Sequence, residues 1–184
     1  MMEWHLSKDN MNIFDIKRNY HELNLFLILD SAQISEYTES ILKKVKQSDF
    51  TEVYSLFAQT KENNLPWEVS PLLFNLSLLD DVNILKILDE LWLHETVIQV
   101  IGVKKKIPLK VLMNKLKMLL ELEMPDGTVS FFRWYDPRIM ENINFLLEKK
   151  DSAELFRNID FWFLTVIDID VGTKVIKNKV SFNV

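Results

Sequence analysis

Cysteine is absent from this 184-residue chain, which excludes a disulfide scaffold, a thiolate zinc site and a cysteine nucleophile. Glycine is scarce, with Gly102, Gly127 and Gly172 the only three. A P-loop or a dinucleotide-binding fingerprint needs several glycines in close register, so nucleotide binding by those motifs is excluded as well. No G-x-S-x-G elbow occurs. The longest apolar runs, LNLFLIL at 23–29 and FWFLTVI at 161–167, are strand-sized, against about 20 residues for a membrane helix. The first 22 residues carry charges throughout and show no apolar core of a signal peptide. Basic excess is also missing. With 22 basic against 27 acidic residues the net charge is −5, which argues against a nucleic-acid phosphate backbone as ligand. These absences predict a soluble, cytoplasmic chain without cofactor, metal, membrane or nucleic-acid partner.

What remains is a chain with 48% hydrophobic residues, enough to form a core and reject wholesale disorder. Strand and helix patterns alternate along most of it. Residues 24–29, 52–57, 96–103 and 160–168 read as strands. Helical spacing follows Ser35, Asp80 or Asp81, and Pro108. Residues 61–77, punctuated by Pro66 and Pro71, read as a loop. Asp126-Gly127 between ELEM and TVSFFRWY is a hairpin signal. The expected fold is therefore α/β: a single domain with a mixed β-sheet flanked by helices and one late hairpin. Its expected limits are a flank at 1–22, the domain at 23–170, and a C-terminal arm or edge strand at 171–184.

The chemistry of a site is thin. His5, His21 and His94 lack partners at metal-ligand spacing. Asp80-Asp81 is explained by a helix cap, and Asp168-x-Asp170 by a solvated strand end without a third ligand. Lys104 to Lys106 with Lys110 form a basic turn without interleaved aromatics. The exceptional stretch is SFFRWYDPRIMENI at 130–143. Alternation places Arg133 between Phe131 and Tyr135 on one strand face, where a guanidinium can stack on rings and still present its fork. Asp136 caps the following helix with Pro137 at its first position. That leaves Arg138 in the first turn, opposing the helix dipole at about 0.3–1 kcal/mol. A nearby carboxylate is expected to offset this, and Asp30 is the candidate if the two strands neighbour each other. Two readings follow: an ion-pair network locking strand to helix, or donors presented to a partner. Trp92 and Trp162 fit core patterns, whereas Trp67, in a proline-flanked loop, suits either a fold role or a recognition surface.

LFLILDSAQ at 25–33, YSLFAQT at 54–60, SPLLFNL at 70–76 and MPDGTVSFFRWYDPRIM at 124–140 occur in an order and spacing that resemble the domain-of-unknown-function 4123 family. The most specific element is the hairpin followed by Phe132, Arg133, Tyr135, Asp136, Pro137 and Arg138. The resemblance implies a non-enzymatic adaptor chaperone of the bacterial type VI secretion system. Such a protein binds a cognate effector in the cytoplasm and helps load it onto the VgrG spike. It maps the family motif onto Asp30, Pro71, Arg133, Asp136, Pro137 and Arg138, to which Trp67, Trp134 and Tyr135 are added as candidate partner-binding positions. The rival expectations are an immunity protein that neutralises a toxin, and a hydrolase built on Asp168 and Asp170.

Overall fold

The computed structural model describes residues 5–6, 12–46, 52–58, 60, 65–91, 98–124, 126–147, 156–170 and 173–182. The elements run β1 (His5–Leu6), α1 (Ile13–Asn19), β2 (Leu23–Leu29), α2 (Ser35–Lys46), β3 (Val53–Ser55), β4 (Leu72–Asn75), α3 (Asp81–Leu91) and β5 (Ile98–Lys104). They continue as α4 (Leu109–Met118), β6 (Glu121–Glu123), β7 (Val129–Phe131), α5 (Pro137–Glu141), α6 (Ile143–Leu146), β8 (Phe161–Asp170) and β9 (Thr173–Phe182). Short 3₁₀ turns occupy Ser31–Gln33 and Trp67–Val69.

Seven strands form one sheet in the order β1-β9-β8-β5-β2-β4-β3, and β6 pairs with β7 in a separate hairpin. The expected helix-flanked sheet and the late hairpin at Asp126-Gly127 are both present. Where a mixed sheet was expected, every described ladder is antiparallel. The reason lies in β4, which occupies the stretch expected to be a loop. With β4 beside β2, the chain returns through an antiparallel neighbour, and no right-handed parallel crossover is needed.

Strand β2 shows why its sequence is apolar at consecutive positions. Leu25, Leu27 and Leu29 pack with α1, α2 and α3, while Phe26 and Ile28 pack on the other side with α4. A strand buried on both faces gains nothing from polar alternation. Strand β8 repeats the pattern, Phe161 and Phe163 against Trp162 and Leu164. Gly102 in β5 is required by packing: a Cβ there would stand 2.8 Å from Leu23 Cδ1 and 3.2 Å from both Leu25 Cδ2 and Phe161 Cβ.

The expected N-terminal flank contributes α1, which opens with a reciprocal capping box between Asn12 and Asp15 and buries Ile13 and Ile16. The expected C-terminal arm supplies β9, paired with β8 from Phe161↔Phe182 to Asp170↔Thr173. It was expected as an arm or an edge strand, and β1 lies beyond it, pairing His5 with Val180. The single helix expected after Pro137 is broken at Asn142, whose backbone (φ −102°, ψ 13°) leaves the helical region and separates α5 from α6. No helix among the described residues is long and apolar enough to cross a membrane.

A candidate partner-binding corner

Strand β7 ends at Phe131, four residues before the expected strand does. Phe132 still donates its N–H to the Leu120 carbonyl at 2.7 Å, and then the chain turns. Trp134 is driven inward: it is fully buried, its indole N–H donates to the Leu116 carbonyl at 3.2 Å, and its ring meets Trp162 edge-on at 6.0 Å. The buried amide of Gln99 accepts from Trp162 Nε1 at 2.7 Å and reaches toward the Trp134 carbonyl at 3.5 Å. Trp134 therefore ties the corner to α4 and to the sheet, and its burial keeps it from direct contact with a partner.

With Trp134 inside, Arg133 lines the corner, whereas Tyr135, expected as a partner-binding position, is buried in the core beside it. The Arg133 guanidinium lies 5.7 Å from the Tyr135 ring centre. Tyr135 meets Phe57 and Phe131 edge-on at 6.4 Å each, so of the two rings expected to flank the cation Tyr135 contacts it, and Phe131 packs against Tyr135. Burial, with the charge of Asp30, pushes the Tyr135 hydroxyl up to about 12.

Two carboxylates receive the two cations. Asp30, at the end of β2, is fully buried and accepts from Gln33 Nε2 at 2.6 Å and from Arg133 Nη2 at 3.0 Å. Asp136 accepts the Arg138 backbone N–H at 3.0 Å, Arg138 Nε at 2.9 Å and Arg138 Nη2 at 2.6 Å, and stands 4.0 Å from Arg133. One side chain thus caps α5 and neutralises the cation in its first turn, the bidentate geometry that suits a guanidinium. The expected assignment of Asp30 to Arg138 is changed: β2 and β7 belong to different sheets, and Asp30 meets Arg133 while Asp136 meets Arg138.

The two acids respond oppositely. Burial raises Asp30, and the hydrogen bond from Gln33 and the charge of Arg133 do not fully offset it. Its Oδ1 and the Arg133 Nε are buried without hydrogen-bond partners. Burial also acts upward on Asp136, but the side-chain and backbone hydrogen bonds of Arg138 outweigh it and hold that carboxyl below its usual value. Both arginines keep an open side. Their side chains are 40% and 68% exposed for Arg133 and Arg138.

Pro137 is buried at the first position of α5. Trp67 and Pro71 lie at the other end of the Asp30 segment. Pro71 is buried and its carbonyl accepts from the Leu56 N–H at 2.9 Å. Trp67 sits in its 3₁₀ turn, 38% exposed. A buried hydroxyl chain joins this region to the corner: Ser31 Oγ donates to the Ser70 carbonyl, and Ser55 Oγ and Ser70 Oγ lie 2.5 Å apart. Sequence reasoning missed Gln33, Phe57 and these serines. For Gln33 the signal was its spacing three residues after Asp30; the serines carry none. Asp168 and Asp170 lie in β8, and their side chains, with His94, Trp4 and Trp92, lie outside the described residues. No group of three or more His, Asp or Glu able to hold a metal occurs among the described residues.

A family model described as "Domain of unknown function (DUF4123)" matches residues 25–151, more than half of the chain. No curated protein and no solved structure matches it.

Proposed function

We propose, for a chain that belongs to the DUF4123 family, that it is a non-enzymatic adaptor chaperone: it binds a cognate type VI secretion effector in the cytoplasm and promotes its loading onto the VgrG spike. The observation that carries this reading is the pair of arginines that are held from behind and open in front. Each guanidinium has one edge fixed by a buried carboxylate, which removes most of the rotamer entropy that a free arginine loses on binding. The exposed remainder, beside the exposed ring of Phe131, forms a preset donor pair with an apolar neighbour. Arginine with aromatic residues is the composition of interface hot spots.

A protein of this kind works by differential affinity and needs no nucleotide. It holds an effector segment and releases it when the spike offers an additional surface. Co-expression with the product of the neighbouring gene tests the reading. The effector should accumulate, co-purify with this chain and associate with the spike, and the double substitution Arg133→Ala, Arg138→Ala should abolish capture while the protein stays folded by circular dichroism. Rescue of cells from the toxin without spike association would instead identify an immunity protein, and turnover of any small molecule would overturn both.

A further inference from the structure

Strand β3 is the edge of the sheet opposite β1, and α4 runs alongside it. Between them and the 3₁₀ turn of Trp67 lies an open groove of about 510 Å³, lined by Val53, Tyr54, Trp67, Met113, Lys110 and Lys117 among others. That volume is within the range of specific ligand sites, roughly 300–1,000 Å³. Three properties of the groove converge on one kind of occupant.

The first is the main chain. Asn75 N–H donates to the Glu52 carbonyl and Leu56 N–H to the Pro71 carbonyl, and the register pairs Val53 with Phe74 and Tyr54 with Leu73. Hydrogen-bonded pairs alternate along an antiparallel ladder, so the amide groups of Val53 turn away from β4 toward the open edge. The second is charge. In a chain of net charge −5, the described lining of this groove contains two lysines, and the neighbouring Glu52 carboxylate is already engaged by the Tyr54 hydroxyl and the Asn75 amide. Lys117 is bonded to the Ala58 carbonyl, and burial lowers its pKa, a loss that an incoming carboxylate reverses. The third is the apolar floor of Met113, Leu109 and the half-exposed Trp67 ring.

We infer that this groove takes an extended acidic segment of a partner protein, which adds a strand to β3, sets its apolar side chains on Trp67 and Met113, and places carboxylates on Lys110 and Lys117. Strand addition supplies main-chain affinity, and the alternating pockets supply selectivity. This deepens the adaptor reading by giving the chemistry of the held segment. The groove shares its scaffold with the arginine corner, because α4 is anchored by Trp134 and the Trp67 turn by Ser31.

The test uses the full chain and a labelled eight-residue peptide alternating Glu with Val or Leu, followed by fluorescence anisotropy. The expected result is saturable binding that weakens with salt and is lost when Lys replaces Glu or when the peptide amides are N-methylated. Lys110→Glu should weaken it about tenfold or more, and Trp67→Ala should do the same. Both residues are exposed enough that folding is expected to be retained, and Lys117→Gln serves as a second probe on a conservative side chain. Equal binding of the Lys and Glu peptides, indifference to all three substitutions, or equal competition by free glutamate would overturn the proposal, the last by making the groove a small-anion site. The peptide assay needs neither effector nor spike. Failure here with intact effector capture removes the groove alone, and peptide binding without any effector capture removes the adaptor reading alone.

Discussion

On the side of α1, α2 and α3 the sheet is covered mainly by aliphatic and phenylalanine side chains, among them Ile16, Ile41, Phe74, Ile87 and Phe163. On the side of α4, α5 and α6 the interior includes Trp134, Trp162 and Tyr135, and the buried Gln99 amide bonds into it. The difference separates what the fold needs from what it presents. An apolar face is satisfied by volume alone, whereas each indole N–H and amide on the second face needs a partner in a fixed direction. Those directional bonds hold the corner and α4 in one arrangement, and the arginine pair and the lysine-lined groove are both mounted on that side.

The largest test of this contrast truncates one large ring on each face. Phe74→Ala and Trp134→Ala should each lose about 3–5 kcal/mol, read from denaturant midpoints. If the contrast holds, Phe74→Ala lowers the amount of folded protein but leaves partner capture per folded molecule intact, whereas Trp134→Ala lowers both. Equal behaviour in the capture assay would erase the distinction. A smaller effect follows from Asp136→Ala, which removes the cap of α5 and should destabilise by about 1 kcal/mol, checked by urea unfolding.

Acid titration sharpens the contrast within the corner itself. Asp136 lies below the usual carboxylate value, so the stability it contributes is complete above that value and is lost as pH falls through its lowered one. Asp30 lies above, so the native state holds its proton more tightly, and stability falls as pH rises from the usual value through the raised one. Asp136→Asn should therefore flatten the loss of stability on acidification, and Asp30→Asn should steepen it. The same sign in both variants, measured by unfolding across the carboxylate range, would contradict the assignment. Smallest of all, Arg138→Ala should destabilise by no more than about 1 kcal/mol, because the guanidinium it removes is 68% exposed, although the Asp136 carboxylate it leaves is buried.

How much of this was legible follows from range. Asp136, Pro137 and the Asp126-Gly127 turn are local signals, and each occupies its expected place, with Gly127 at φ +80°. The two-sided strands β2 and β8 were legible because continuous apolar runs have few alternatives at that length. Strand β4 was hidden by Pro71, which reads as a loop marker. Here it precedes the strand, and its missing N–H falls on a pairing where only its carbonyl is used. The capping pair at Asn12 and Asp15 is a local signal for α1, but the stretch around it reads only as a charged flank. The break at Asn142 and the division of acids between the arginines depend on packing between distant segments, which no local pattern encodes.

Arg133 and Asp30 are 103 positions apart in the chain. Contacts of such separation close only after the loop between them has been brought together, so they form late in assembly. The corner is thereby a certificate of completion: a copy whose two segments have not met lacks the fixed Arg133–Asp30 pair. On the adaptor reading proposed above, the ion pair that fixes the Arg133 guanidinium also withholds it from a partner until the fold is complete.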